Sequence, residues 1–216
     1  MSRKILAFGI PVLLAFSAGS TFAVPTLTLE SGSSTVTRTD GLDGALDGKI
    51  QFFGTVGNFT FNKVTAITDP IFGAPASPDL NLISLDVSSG LGGQLTVTFT
   101  DDGFTGSPLN LMATIGGTTG VGDSVQLLTY VNGTLLTDSG ILGGPAFDNA
   151  EFASLINGSP YSLTLKAVIT HSGGIEAHAT SFGARLQTTV PDGGSTAVIL
   201  GLGLLGLGTL RRSRNS

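Results

Sequence analysis

Between Leu95 and Thr100 every second residue is apolar: Leu95, Val97 and Phe99 alternate with Thr96, Thr98 and Thr100. The same period recurs where Ile83, Leu85 and Val87 alternate with Ser84, Asp86 and Ser88. It recurs again where Leu163, Leu165, Ala167 and Ile169 alternate with Thr164, Lys166, Val168 and Thr170. Successive side chains of a strand point to opposite faces, so a period of two describes strands with one face buried and the other wet. Antiparallel sheets meet that condition, and a helix of period 3.6 does not.

Turn residues separate the alternating runs. Gly57-Asn58 links a strand near Lys49–Val56 to one near Phe59–Ile67. Gly90–Gly93 links Leu82–Ser88 to Gln94–Thr100, and Ser172-Gly173-Gly174 links Tyr161–His171 to Ile175–Leu186. Asn132-Gly133 is a strong two-residue hairpin signal between Ser124–Val131 and Thr134–Thr137. Asp69–Pro78, with Pro70, Pro75 and Pro78, reads as a long surface loop. Asp148 and Glu151 have capping-box spacing, which predicts one short helix ending near Leu155 before Asn157-Gly158. The expected fold class is therefore all-β: an antiparallel β-sandwich of nine or ten strands with one short helix. A jelly-roll topology is one form that this pattern allows.

Both ends of the chain differ from this body. Arg3 and Lys4 precede an apolar stretch from Ile5 to about Ala18, then Thr21-Phe22-Ala23. That is the pattern of a secretory signal peptide, helical in its apolar stretch and cleaved after Ala23. At the other end, Val190-Pro191-Asp192-Gly193-Gly194 forms a turn, Ser195–Leu210 carries no charge, and Arg211, Arg212 and Arg214 follow. As a helix the uncharged run is about 24 Å long, slightly short of a hydrocarbon core of roughly 30 Å. It would span with local thinning, and the basic stop would hold its far end in the cytoplasm. Three segments result: a signal peptide over 1–23, an exported domain over 24–189 and a tail over 190–216.

The tail resembles the PEP-CTERM class of bacterial sorting signals, in the variant that opens Val-Pro-Asp and is called VPDSG-CTERM. The matching residues are Val190, Pro191, Asp192, Gly193 and Gly194, the Leu/Gly run, and Arg211-Arg212; Gly193 stands where the variant usually has Ser. The resemblance implies recognition by an exosortase-type, membrane-embedded processing enzyme in an organism that makes exopolysaccharide. The body is similar, less specifically, to domains found ahead of such tails, through Asp79–Leu82, Leu95–Phe104 and Tyr161–Leu165. That likeness implies an exported sandwich with no assigned activity.

Charge and composition narrow the function further. In the body only Arg38, Lys49, Lys63, Lys166 and Arg185 are basic, against fourteen acidic residues, a net charge of about −9. No basic stripe is available to neutralise phosphates, which argues against nucleic acid. The sequence has no cysteine, so packing and sheet hydrogen bonds must hold it without disulfides. Thiol catalysis is excluded on the same ground.

Three groups of polar residues are candidate sites. Asp40, Asp43 and Asp47 lie on a Gly-rich loop, and carboxylates so placed can gather around calcium. Their spacing departs from the EF-hand order, and Asp-Gly pairs also simply make turns. Asp101-Asp102-Gly103 raises the same question at a strand end. His171 and His178 are the only histidines; a two-residue turn at Gly173-Gly174 would set His171 opposite Glu176, with His178 nearby, as a weak transition-metal set or a solvated hairpin end. The body carries no Gly-x-Ser-x-Gly elbow and no tryptophan, so neither a serine hydrolase nor an aromatic sugar platform is suggested.

The expected protein is non-enzymatic and needs no cofactor, calcium apart. It begins as a single-pass membrane protein and then resides at the cell surface or outside, as a structural or adhesive element near extracellular polysaccharide. The alternative is a calcium-dependent glycan-binding module.

Overall fold

A computed structural model describes residues 24–42, 44–106, 109–155, 158–174 and 178–189. The signal segment with Ala23, residue Asp43, and the whole tail with its motif, apolar run and basic stop lie outside the described residues. Every regular element among the described residues is a strand, and among them no helix is long and apolar enough to cross a membrane.

The strands are β1 (Thr26–Ser31), β2 (Ser34–Thr39), β3 (Lys49–Val56), β4 (Phe59–Ile67), β5 (Asp79–Ser89), β6 (Gly93–Phe104) and β7 (Leu109–Thr118). Then follow β8 (Ser124–Val131), β9 (Thr134–Asp138), β10 (Leu142–Gly143), β11 (Ala146–Leu155), β12 (Tyr161–His171) and β13 (His178–Thr188). One sheet has the order β10-β8-β12-β6-β1-β2, with β9 also paired to β8; the other has β11-β7-β13-β5-β4-β3. All pairs are antiparallel. The neighbours β11-β7-β13-β5 face β9/β10-β8-β12-β6, which is the winding order of a jelly roll, with β1 to β4 widening both sheets.

The alternation seen in the sequence builds the core. In β12, Tyr161, Leu163, Leu165, Ala167 and Ile169 are buried while their neighbours are half-buried; β6 contributes Leu95, Val97 and Phe99 in the same way. The second sheet answers with Leu80, Leu82, Val87, Leu111, Ile115, Phe182, Ala184 and Leu186. The β8–β9 hairpin forms at Asn132-Gly133, where both residues have positive φ (48° and 76°), as a type I′ turn requires.

The strands number thirteen among the described residues, not nine or ten, and in β5 the expected phase breaks: Ser84 is buried and Ile83 exposed while Val87 is buried, with the register against β13 shifting between Ser84 and Val87. Two further expectations are corrected. The predicted helix is strand β11, paired without irregularity to β7 from Ala146↔Thr118 to Leu155↔Leu109. A helix of eight residues is too short to hold itself, whereas the ladder gives the segment backbone partners along its length. Burial alternates along β11, but between Phe147 and Leu155 the inward positions are Asn149, Glu151 and Ala153, so the sequence shows no apolar alternation to betray the strand. The second correction concerns Ser172–Gly174, which is not a hairpin turn. β12 and β13 belong to different sheets, as do β5 and β6, so both links carry the chain across the sandwich. Each of these strands buries one face, and two such faces are satisfied by packing against each other.

Candidate functional site

The sandwich has two ends. The near end holds the start of β1, the 40–48 and 68–78 loops, Phe104 and the end of β13. The far end holds the β5–β6 link, the 119–123 loop and the 172–174 link. Each end buries a titratable group.

At the far end His171 continues the buried phase of β12 beyond Ile169 and is 2% exposed. Its Nδ1 lies 2.9 Å from Ser89 Oγ on β5, and its Nε2 lies 2.9 Å from Thr180 Oγ1 on β13. Thr180 in turn meets Thr119 Oγ1 at 2.6 Å. The imidazole packs against the Phe59 ring, with centroids 5.2 Å apart, and against His178 at 5.9 Å. Burial holds its pKa below the usual histidine value, with His178 adding to that effect and Asp123 opposing it.

Asp123 closes this end. It accepts hydrogen bonds from Ser172 N (2.8 Å) and Ser172 Oγ (3.2 Å), and His178 Nδ1 lies 2.9 Å from its carboxylate. Burial pushes its pKa up, but the hydrogen bonds from the Ser172 N–H and His178, together with the charge of His171, bring it below the ordinary carboxylate value. The predicted grouping of His171 with His178 is thus real, but the cross-sheet link creates it. Glu176 lies outside the described residues. Both nitrogens of His171 are taken by hydroxyls. Among the described residues no group of three or more His, Cys, Asp or Glu is placed to hold a metal ion.

At the near end Asp101 continues the buried phase of β6 beyond Phe99. It accepts from Thr68 Oγ1 (2.8 Å) and from Asp102 N (2.9 Å). Burial is the largest influence and pushes its pKa up to about 6; the two hydrogen bonds resist, while the neighbouring charges of Asp102 and Asp69 add to the rise.

Of the three predicted calcium ligands, Asp40 and Asp47 fall within the described residues. Asp40 is buried and clamps its own loop, accepting from Gly41 N (2.9 Å) and Gly48 N (2.8 Å). Asp47 accepts from Lys49 N at 3.0 Å. Gly48 sits where the loop crosses residues 68–69: its φ is +75°, and a Cβ there would lie 2.1 Å from Asp69 O. Ser89, Thr119, Asp123 and Thr180 were missed in the sequence. Thr180 carried a signal, being in phase with Phe182, Ala184 and Leu186; Asp123, in a Gly-Val-Gly-Asp loop, carried none.

Ser89 and His171 do not form a working nucleophile pair, because both are buried and Asp123 bonds His178 rather than His171. The histidine network acts as a clasp joining β5, β12, β13 and the 119–123 loop.

No curated protein matches the chain in sequence. Among solved structures it is similar to a β-glucosidase from Kluyveromyces marxianus in complex with glucose, at 13% identity and a TM-score of 0.33, over 78% of this chain but only 17% of that one. It is also similar to the C-terminal CBM6 of LamC from Zobellia galactanivorans, at 13% identity and a TM-score of 0.26, over 64% of this chain and 98% of that one. A third is the structure of infectious bursal disease virus, Gx strain, at 15% identity and a TM-score of 0.31, over 77% and 57%. Likenesses this distant carry no functional argument. The C-terminus is different: residues 189–214 match the family model described as the VPDSG-CTERM motif. The match begins directly after β13, at Thr189, whose N donates to Asn110 O (2.8 Å). The chain therefore carries a C-terminal sorting domain of the PEP-CTERM type.

Proposed function

We propose that this is a non-enzymatic exported protein, sorted by its tail to the cell surface or the extracellular polysaccharide, where the sandwich is a structural or adhesive element. The observation that carries the reading is the VPDSG-CTERM match beginning at the last anchored residue of the fold. In this reading residues 1–23 are cut after Ala23. Residues 195–210 then cross the inner membrane with Arg211, Arg212 and Arg214 behind them, until an exosortase-type enzyme acts at residues 190–194.

Two features of the body support the non-enzymatic part. Its buried histidine, aspartates and serine are spent on internal hydrogen bonds. Its wet strand faces are rich in threonine, as in Thr35, Thr37 and Thr39 of β2, which suits contact with a hydroxyl-bearing polymer. The calcium-dependent alternative has no such support, because the described carboxylates of the 40–48 loop already hold that loop together.

The test is the intact mass of the protein taken from its host. The expected chain begins near Val24 and ends between Val190 and Gly193. A chain running from Met1 to Ser216 would overturn the reading.

A further inference from the structure

The topology fixes which way the sandwich faces. Val24, where the described body begins, and Thr189, where it ends, both lie at the near end: Pro25 O accepts from Asp40 N, and Thr189 is bonded to Asn110 beside the Pro78 carbonyl that binds Thr188 N. Only residues 190–194 separate Thr189 from the apolar run at Ser195. Six Cα steps reach at most roughly 20 Å, and less through the Pro191 turn. Whatever surface holds the apolar run therefore lies close against the near end.

Both tips expose apolar side chains, Leu91, Val121 and Ile141 among them at the far end; what sets the near end apart is that its apolar loops share it with the chain's exit at Thr189. Leu42 and Leu46 on the 40–48 loop are 67% and 74% exposed, and Ile71 and Phe72 on the neighbouring loop are exposed at 45% and 37%. Gly48 brings the two loops together at Asp69. Several of the charges there are muted: Asp40 and Asp101 are buried, and Asp79 is paired with Arg185, whose guanidinium also covers the Phe72 ring at 5.9 Å. Scattered apolar side chains on a surface ordinarily need no explanation. Here they lie at the same end of the sandwich as the exit of the tail.

The geometry points to the near end as a bilayer-docking surface: while the tail is in place, Leu42, Leu46, Ile71 and Phe72 rest in the interfacial layer of the membrane that holds the tail. The far end, with the histidine clasp, then points away from the cell. The occupant is the lipid surface itself, because the short connection leaves it closest and because insertion needs no complementary charge. Among the described residues Asp47, Asp69 and Asp102 remain at this end, so zwitterionic lipid is favoured over anionic lipid. The inference rests on the tail spanning the membrane.

The chain has no cysteine, so single cysteines can be placed and labelled with a fluorophore without a background. The tail-bearing protein, purified from membranes and reconstituted in phosphatidylcholine vesicles, would be labelled at Leu42→Cys, Leu46→Cys or Phe72→Cys. Controls would be Leu91→Cys and Val121→Cys at the far end, and Leu204→Cys in the tail. The expected result is quenching by brominated acyl chains about twofold or more greater at 42, 46 and 72 than at 91 and 121, weakening when phosphatidylglycerol is added. Quenching at 204 with equal, weak quenching at both ends would overturn the docking surface and leave the sorting reading intact. No quenching at 204 would overturn the spanning tail and the docking surface with it.

Discussion

The two ends of the sandwich bury an ionisable group by the same device and surround it with different charges. Asp101 and His171 each extend an apolar alternation by one more inward position, on adjacent strands β6 and β12. Around Asp101 the nearby charges are of like sign, so burial prevails and the carboxyl is driven toward its neutral form. Around His171 burial again prevails and favours the neutral imidazole, with His178 adding to it, but there the charge of Asp123 opposes it, and Ser172 and His178 hold that carboxylate below its ordinary pKa. Burial alone does not decide whether a polar terminus is locked; the partner supplied by the facing loop does.

The largest test of that contrast is Asp123→Ala. It would leave Ser172 N–H and His178 without their acceptor, and removal of one partner from a buried charged network costs about 3 kcal/mol. Denaturant midpoints measure it, and a loss below about 1 kcal/mol would mean that the far end is not held by this carboxylate.

At the near end the sign reverses. Asp101→Asn keeps an acceptor for Thr68 and removes the buried charge, so at pH 7.5 it is expected to stabilise by about 1–2 kcal/mol, less than the full value of a two-unit shift. Destabilisation there would show that the charge is used.

The pH dependence separates the ends further. Asp101 has a folded pKa raised from 3.8 to about 6, so the stability it contributes is complete below 3.8 and is lost as pH rises through about 6. His171 has a folded pKa below 6.5, so its contribution is complete above 6.5 and is lost as pH falls through the lower folded value. Between pH 7.5 and pH 5 the two oppose each other. Relative to the unaltered protein, acidification over that range should lower the melting temperature of Asp101→Asn and raise that of His171→Asn. Parallel pH profiles for the two variants would refute the opposition.

The smallest expected effect is that of calcium. Addition of millimolar calcium to chelated protein should leave the melting temperature unchanged, because Asp40 and Asp47 already serve their own loop; a clear rise would restore the calcium-binding alternative.

Much of the sandwich was legible in the sequence because one-sided burial imposes a period of two. The β3–β4 and β8–β9 turns and the alternating strands β6 and β12 were readable for that reason, whereas the alternation read in β5 fails at Ile83 and Ser84. β11 was not, because a strand at the edge with two buried side chains has no apolar alternation to show. Pairing between sheets was hidden as well: a Gly-rich link looks the same whether the chain turns back beside itself or crosses to the opposite layer. That ambiguity placed His171 on a solvated hairpin. Its phase with Ile169 and Ala167 pointed inward instead, as the phase of Asp101 with Phe99 did, and the phase was the better guide. Asp123 became visible only once the far-end loops were assembled in space.

The strand that leads into the tail also sets how the molecule bears load. β13 is interior to its sheet, hydrogen-bonded to β5 on one side and β7 on the other, and the tail leaves from its near end. A pull on the chain beyond Thr189 against the far end of the sandwich acts along β13. Both ladders are then strained in shear, many hydrogen bonds at once, rather than opened in turn like a zipper at an edge. In the proposed role of a matrix element, that placement would supply mechanical resistance without any covalent cross-link.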